Sequence, residues 1–101
     1  MFNLFKSIFG GKNTEEIKNL VAEGAIVIDV RTPQEFAGGH YPKAKNIPLD
    51  KIKANIDQIK KFKKPVVLCC ASGMRSASAA SQLKSAGIEN VYDAGSWYNL
   101  N

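Results

Sequence analysis

Only two cysteines, two arginines and one histidine occur in the 101 residues of this chain. The cysteines are neighbours, Cys69 and Cys70, and adjacent residues rarely reach bridging geometry, so no disulfide framework is available. Two adjacent thiols and one distant imidazole, His40, are too few and too scattered to close a zinc site. No apolar run approaches the length of a membrane span, which argues against stable membrane insertion. The N-terminal stretch MFNLFKSIFGG lacks a charged start, a long apolar core and a small-residue cleavage site, so no secretory leader is expected. Free thiols then point to a reducing setting, and a cytoplasmic location is the expectation. No internal repeat or low-complexity tract breaks the chain.

The remaining composition suits one globular domain, with 45% hydrophobic residues and length enough for a single core. Net charge is +5, carried mainly by lysines and densest in KIKANIDQIKKFKKP. Nucleic-acid binding would call for arginine and interleaved aromatics, and this run offers only Phe62, so no nucleic-acid partner is expected. The run reads as the solvated face of a helix that can steer anions toward the surface. Residues 1–12 form a separate N-terminal amphipathic extension. There Phe2, Leu4, Phe5, Ile8 and Phe9 fall at helical spacing and predict a short helix docked on the domain over 13–101.

Strand and helix signals alternate along that domain. NTEEIKNLVAEGA predicts a helix capped by Asn13 with Glu16 and closed by Gly24. AIVIDV is a continuous β-branched run, suited to a strand buried on both faces. TPQEF starts a short helix with Thr32 as cap, Pro33 in the first turn and Glu35 completing a capping box. A short strand is predicted at KNIP, a lysine-rich helix over Lys51–Lys61, and a second strong strand at KPVVLCC. A small-residue helix, SASAASQLKSAG, ends at Gly87, and NVYDA is a further strand. The class is α/β, an open and mainly parallel sheet of four to five strands with helices on both faces.

Ligands of such sheets bind beyond the carboxyl ends of the strands, and CCASGMRS stands at one, leading into a helix. A strand-to-helix loop can turn its amides inward as an anion nest, and Gly73 permits the backbone geometry this needs. Cys69 continues the apolar strand and reads as a core residue. Cys70 opens the loop, where the nest, the helix start and Arg75 all favour thiolate and lower its pKa. Cys70 is the candidate nucleophile.

CASGMRS resembles the Cys-x-x-Gly-x-Arg-Ser active-site loop of rhodanese-like sulfurtransferases. VIDVRTPQEFAGGHYPKAKNIPL is similar to that family's Asp-Val-Arg, Glu-Phe, Gly-His, Pro-x-Ala and Asn-Ile-Pro-Leu succession, and SQLKSAGIENVYDAGSW to its closing stretch. The resemblance spans roughly residues 14–98. It implies that Cys70 takes sulfur from thiosulfate or a persulfide, holds it as Cys–S–SH and yields it to a thiol, cyanide or a protein. The amides of Ala71, Ser72, Gly73, Met74 and Arg75 are implied to hold the anion. The resemblance makes Ser76, last in the motif, a supporting residue. It implies no cofactor; the partners are a small sulfur donor and acceptor, with a protein persulfide donor or acceptor as a further option. Two departures stand out: Ala94-Gly95 replaces a frequent Gly-Gly, and the loop residues Ala71, Ser72 and Met74 are neutral. The neutral loop predicts weak use of thiosulfate.

Arg75 can act on substrate or brace the loop, since a guanidinium suits either. Asp29 and Arg31 end the first strand and are supporting residues, expected in a network with Glu35 and the loop backbone. His40 and Trp97 read as structural. Three other functions remain: a persulfide carrier with little turnover, a non-catalytic regulatory module, and a phosphatase or arsenate reductase. The last counts the loop from Cys69 as Cys-x5-Arg. Gly73, three after Cys70 and two before Arg75, favours the shorter sulfurtransferase loop.

Overall fold

The apolar runs AIVIDV and KPVVLCC form the two central strands of one sheet, as their lack of alternation predicts. The computed structural model describes residues 12–101. Except for Lys12, the N-terminal extension and the docked helix expected within it lie outside the described residues. Strands β1 (Ile26–Asp29), β2 (Lys45–Asn46), β3 (Val66–Cys70) and β4 (Val91–Ser96) take the order β2-β1-β3-β4. All three pairings are parallel, and the described residues hold four strands from the expected four to five. The strand expected at KNIP is only two residues long, although the N–H groups of Ile47 and Leu49 still donate to the Asp29 and Val30 carbonyls at 3.1 and 3.0 Å.

Helix α1 (Thr14–Ala22) begins with the expected capping box: Glu16 N–H donates to Asn13 Oδ1 at 2.8 Å, and Asn13 N–H to Glu16 Oε1 at 3.0 Å. Helix α2 (Pro33–Ala37) repeats the device with Thr32 and Glu35. The helix expected over Lys51–Lys61 is instead two 3-10 turns, Leu49–Lys51 and Lys53–Asn55, followed by α3 (Ile56–Lys61). Asn55 explains the break. Its side-chain amide donates to the Lys51 carbonyl at 2.8 Å, displacing the backbone bond that would continue an α-helix. Helix α4 (Met74–Ser85) starts directly after the cysteine loop, two residues before the expected SASAAS.

Helices cover both faces of the sheet. One face packs Ile28, Leu68 and Cys70 against Ile52, Ile59 of α3 and Ala79, Ala80 and Leu83 of α4. The other packs Val27, Val67 and Cys69 against Ile17 of α1 and Leu100 of a closing 3-10 turn, Trp97–Leu100. No helix among the described residues is long and apolar enough to cross a membrane.

Candidate active site

Alternation along β3 sends its two thiols to opposite faces. Cys69 faces the α1 side and is fully buried, and that burial, with the Asp29 carboxylate adding to it, pushes its thiol up to about 12. Cys70, the last residue of the strand, faces α4 and pairs in register with Ser96 of β4.

The loop then bends back over the Cys70 sulfur. Gly73 takes a φ of 110°, a region L side chains rarely adopt, and its N–H donates to Sγ at 2.9 Å. Ser76 N–H donates to the same atom at 3.4 Å, and Ser76 Oγ lies 3.4 Å away. Burial alone would raise the Cys70 thiol, yet its pKa is lowered. The Ser76 hydroxyl and amide, then the Gly73 and Ser72 amides, more than offset the desolvation. Ser76 Oγ also reaches the Gly73 carbonyl at 3.2 Å. The hydroxyl therefore accepts from a thiol while donating to that carbonyl, or donates to a thiolate instead.

Arg75 spends its side-chain hydrogen bonds on Glu35 and makes none to the sulfur. Its guanidinium makes a two-point pair with Glu35, 2.7 Å to Oε1 and 3.0 Å to Oε2. Glu35 is held in turn by the Thr32 amide at 3.0 Å, and Arg75 with that amide draws its carboxyl down to about 2. Asp29 and Arg31 lie beneath this pair as a buried ion pair at 2.8 Å. Arg31 also donates to the carbonyls of Glu35 (3.4 Å) and Gly39 (2.7 Å), which fixes the turn carrying α2. A groove of about 450 Å³ opens beside Arg75, between Thr32, Leu49, Asp50, Lys53 and Gln82.

The family model for the rhodanese-like domain matches residues 13–99. The chain belongs to the rhodanese-like family. Among relatives of this rhodanese-like chain, the "Uncharacterized protein YqhL" of Bacillus subtilis is 41% identical over 80 residues, 79% of this chain and 63% of YqhL. The chain thus spans less than two thirds of that relative's length. "Thiosulfate sulfurtransferase GlpE" of Pseudomonas entomophila is 34% identical over 86 residues, 85% of this chain and 78% of GlpE. A solved rhodanese-like domain protein from Staphylococcus aureus superposes with a TM-score of 0.72 at 36% identity, covering 87% of each chain.

The structure places residues 71–76 in the turn that follows Cys70 and gives them unequal parts. Gly73 and Ser76 supply the hydrogen bonds to sulfur and the Ser72 amide helps to lower its pKa, whereas Ala71, Met74 and Arg75 make no bond to it. Asp29 and Arg31 make no bond to residues 71–75. His40 Nδ1–H donates to the Phe36 carbonyl at 2.7 Å and its ring stacks on Phe36, away from any reacting group. Trp97 lies under the Arg31 guanidinium, 4.9 Å from ring centroid to carbon. Glu35 is the residue sequence reasoning undervalued, since its place in a capping box masked a second duty. The available signal was arithmetic: the chain has only two arginines, and Asp29, two residues from Arg31, leaves Arg75 to another acid.

Proposed function

We propose that this chain is a sulfurtransferase that carries sulfane sulfur on Cys70. The observation that supports it most is the sulfur's setting: 1% exposed, at a strand end, with two amides and a hydroxyl directed onto it. These groups stabilise negative charge on sulfur whether it is thiolate or persulfide. The Cys70 thiolate attacks the outer sulfur of a donor; the Sγ–S bond forms and the donor's own bond to that sulfur breaks. From thiosulfate, sulfite leaves with the electron pair; from a persulfide, the thiolate R–S⁻ leaves. Attack by cyanide or a thiolate on the outer sulfur then returns Cys70 as thiolate and releases thiocyanate or a new persulfide. No general base is needed, since the thiolate is formed beforehand. The GlpE relative, named a thiosulfate sulfurtransferase, supports the same chemistry.

The phosphatase reading has less support, because the Cys-x5-Arg count begins at a thiol that faces the opposite side of the sheet. Reactive, unpaired thiol chemistry fits a reducing, cytoplasmic setting. Mass spectrometry after incubation with thiosulfate or a glutathione persulfide tests the proposal. One added sulfur, about 32 Da, is expected on Cys70 and should disappear on cyanide treatment. No sulfur on Cys70 from any donor, with the protein folded, ends it.

A further inference from the structure

Among the charged groups around the loop, Glu35 has no part in the sulfur transfer just described, yet its carboxylate accepts four hydrogen bonds. Its Oε1 accepts from Arg75 at 2.7 Å, Thr32 N–H at 3.0 Å and Thr32 Oγ at 3.2 Å, while Oε2 takes the second guanidinium nitrogen at 3.0 Å. Its pKa near 2 keeps it ionised at any working pH. The capping box of α2 therefore doubles as a socket for Arg75.

The consequence falls on the donor. Arg75 is the only cationic side chain from Cys70 to Ser76. A dianion that approaches a thiolate meets repulsion, and a free guanidinium would be the natural relief. Here that guanidinium has two of its nitrogens on a carboxylate, so the pair presents little net charge to the loop. A thiol persulfide brings one negative charge or none at the reacting group and loses less from the missing cation.

We propose that Glu35 determines donor specificity: by holding Arg75 in a two-point pair it withholds the loop's cation from divalent donors and favours persulfides. The inference rests on Cys70 being the sulfur carrier. Glu35 acts through Arg75 and is a specificity residue, not a catalytic one.

Glu35→Gln is the decisive variant. The amide oxygen can still accept from Thr32, so the helix cap survives while the charge goes. Sulfur loading of Cys70 is followed by quenched mass spectrometry against concentration of thiosulfate and, separately, glutathione persulfide. The thiosulfate-to-persulfide ratio of loading efficiencies should rise about three- to tenfold, through a lower apparent KM for thiosulfate. Glu35→Asp keeps the charge and should keep the wild-type ratio. Glu35→Gln combined with Arg75→Gln should lose the gain, because the released cation is absent. Arg75→Lys supplies an independent check, since an ammonium cannot form the two-point pair, and it should shift the ratio the same way by less.

If Glu35→Gln slows both donors equally and lowers Tm, Glu35 only braces the loop and the proposal is overturned. A gain that survives removal of Arg75 overturns it as well, because the field of Glu35 alone would then suffice. Failure of the underlying reading looks different: wild type takes up no sulfur on Cys70 from either donor.

Discussion

Cys69 and Cys70 are consecutive residues of one strand, 0% and 1% exposed, and their thiols are driven in opposite directions. Cys69 meets Ile17, Val27 and Val67, which offer nothing to a charge, with the Asp29 carboxylate as the nearest strong field. Cys70 meets the returning loop, whose amides and hydroxyl solvate sulfur in place of water. Burial does not separate the proposed nucleophile from the core residue. Donor count does, and the pleat of β3 decides which thiol receives the donors.

The largest way to break that comparison is to exchange the thiols' roles. Cys70→Ser should abolish sulfur loading, while Cys69→Ser should retain it within a few-fold of wild type. Labelling of both thiols, read by peptide mass spectrometry, would show that the pleat does not partition them. Cys69→Ser should still cost about 1–3 kcal/mol of stability in urea melts, because its hydroxyl replaces a thiol in an apolar cluster.

Next in size is the removal of one donor. Ser76→Ala deletes the hydroxyl 3.4 Å from Sγ and should move the Cys70 alkylation midpoint upward, toward the free thiol. The sign follows from the species stabilised. In wild type the thiolate persists at pH values below the ordinary thiol range, so reactivity falls only on stronger acidification. Without the hydroxyl that fall comes at higher pH. An unchanged midpoint would assign the thiolate's stabilisation to the amides alone.

Gly73→Ala tests the loop's backbone. An added Cβ would sit 3.7 Å from Gly95 Cα, an ordinary contact, so crowding is not the cost. The cost is the φ of 110°, and about 1–2 kcal/mol of destabilisation is expected from thermal melts. A relaxed loop would also draw the Gly73 N–H from its 2.9 Å bond, so sulfur loading should slow with stability.

Much of this site is legible in the residues. The run KPVVLCC followed by Gly73 indicates a buried strand, a turning loop and a helix start, and so the place of the proposed nucleophile. Both capping boxes follow from Asn13–Glu16 and Thr32–Glu35. The division of the lysine helix was hidden, because Asn55 lies inside a helical pattern and local pattern does not record that its side chain takes the Lys51 carbonyl. The Arg75–Glu35 pair was hidden for a related reason: it joins residues 40 apart, and local pattern carries no record of which acid a given arginine meets.

The smallest expected effect sharpens the comparison at the rim of the loop. Ser72 is exposed, and its amide contributes to holding the Cys70 sulfur, so its side chain can change while its backbone role stays. Ser72→Lys adds a cation that Glu35 does not hold, within the loop whose other side chains, Arg75 apart, are neutral. Thiosulfate should gain, mainly through KM, by about two- to fivefold at low salt, and the gain should shrink as salt screens the exposed ammonium over roughly 8 Å. A lysine in water is a weaker lure than a guanidinium released beside the sulfur, so this gain should stay below that of Glu35→Gln. If Ser72→Lys instead leaves thiosulfate KM unchanged at every ionic strength, missing charge is not what limits this donor. The size of the space over Cys70 would then be the feature to alter.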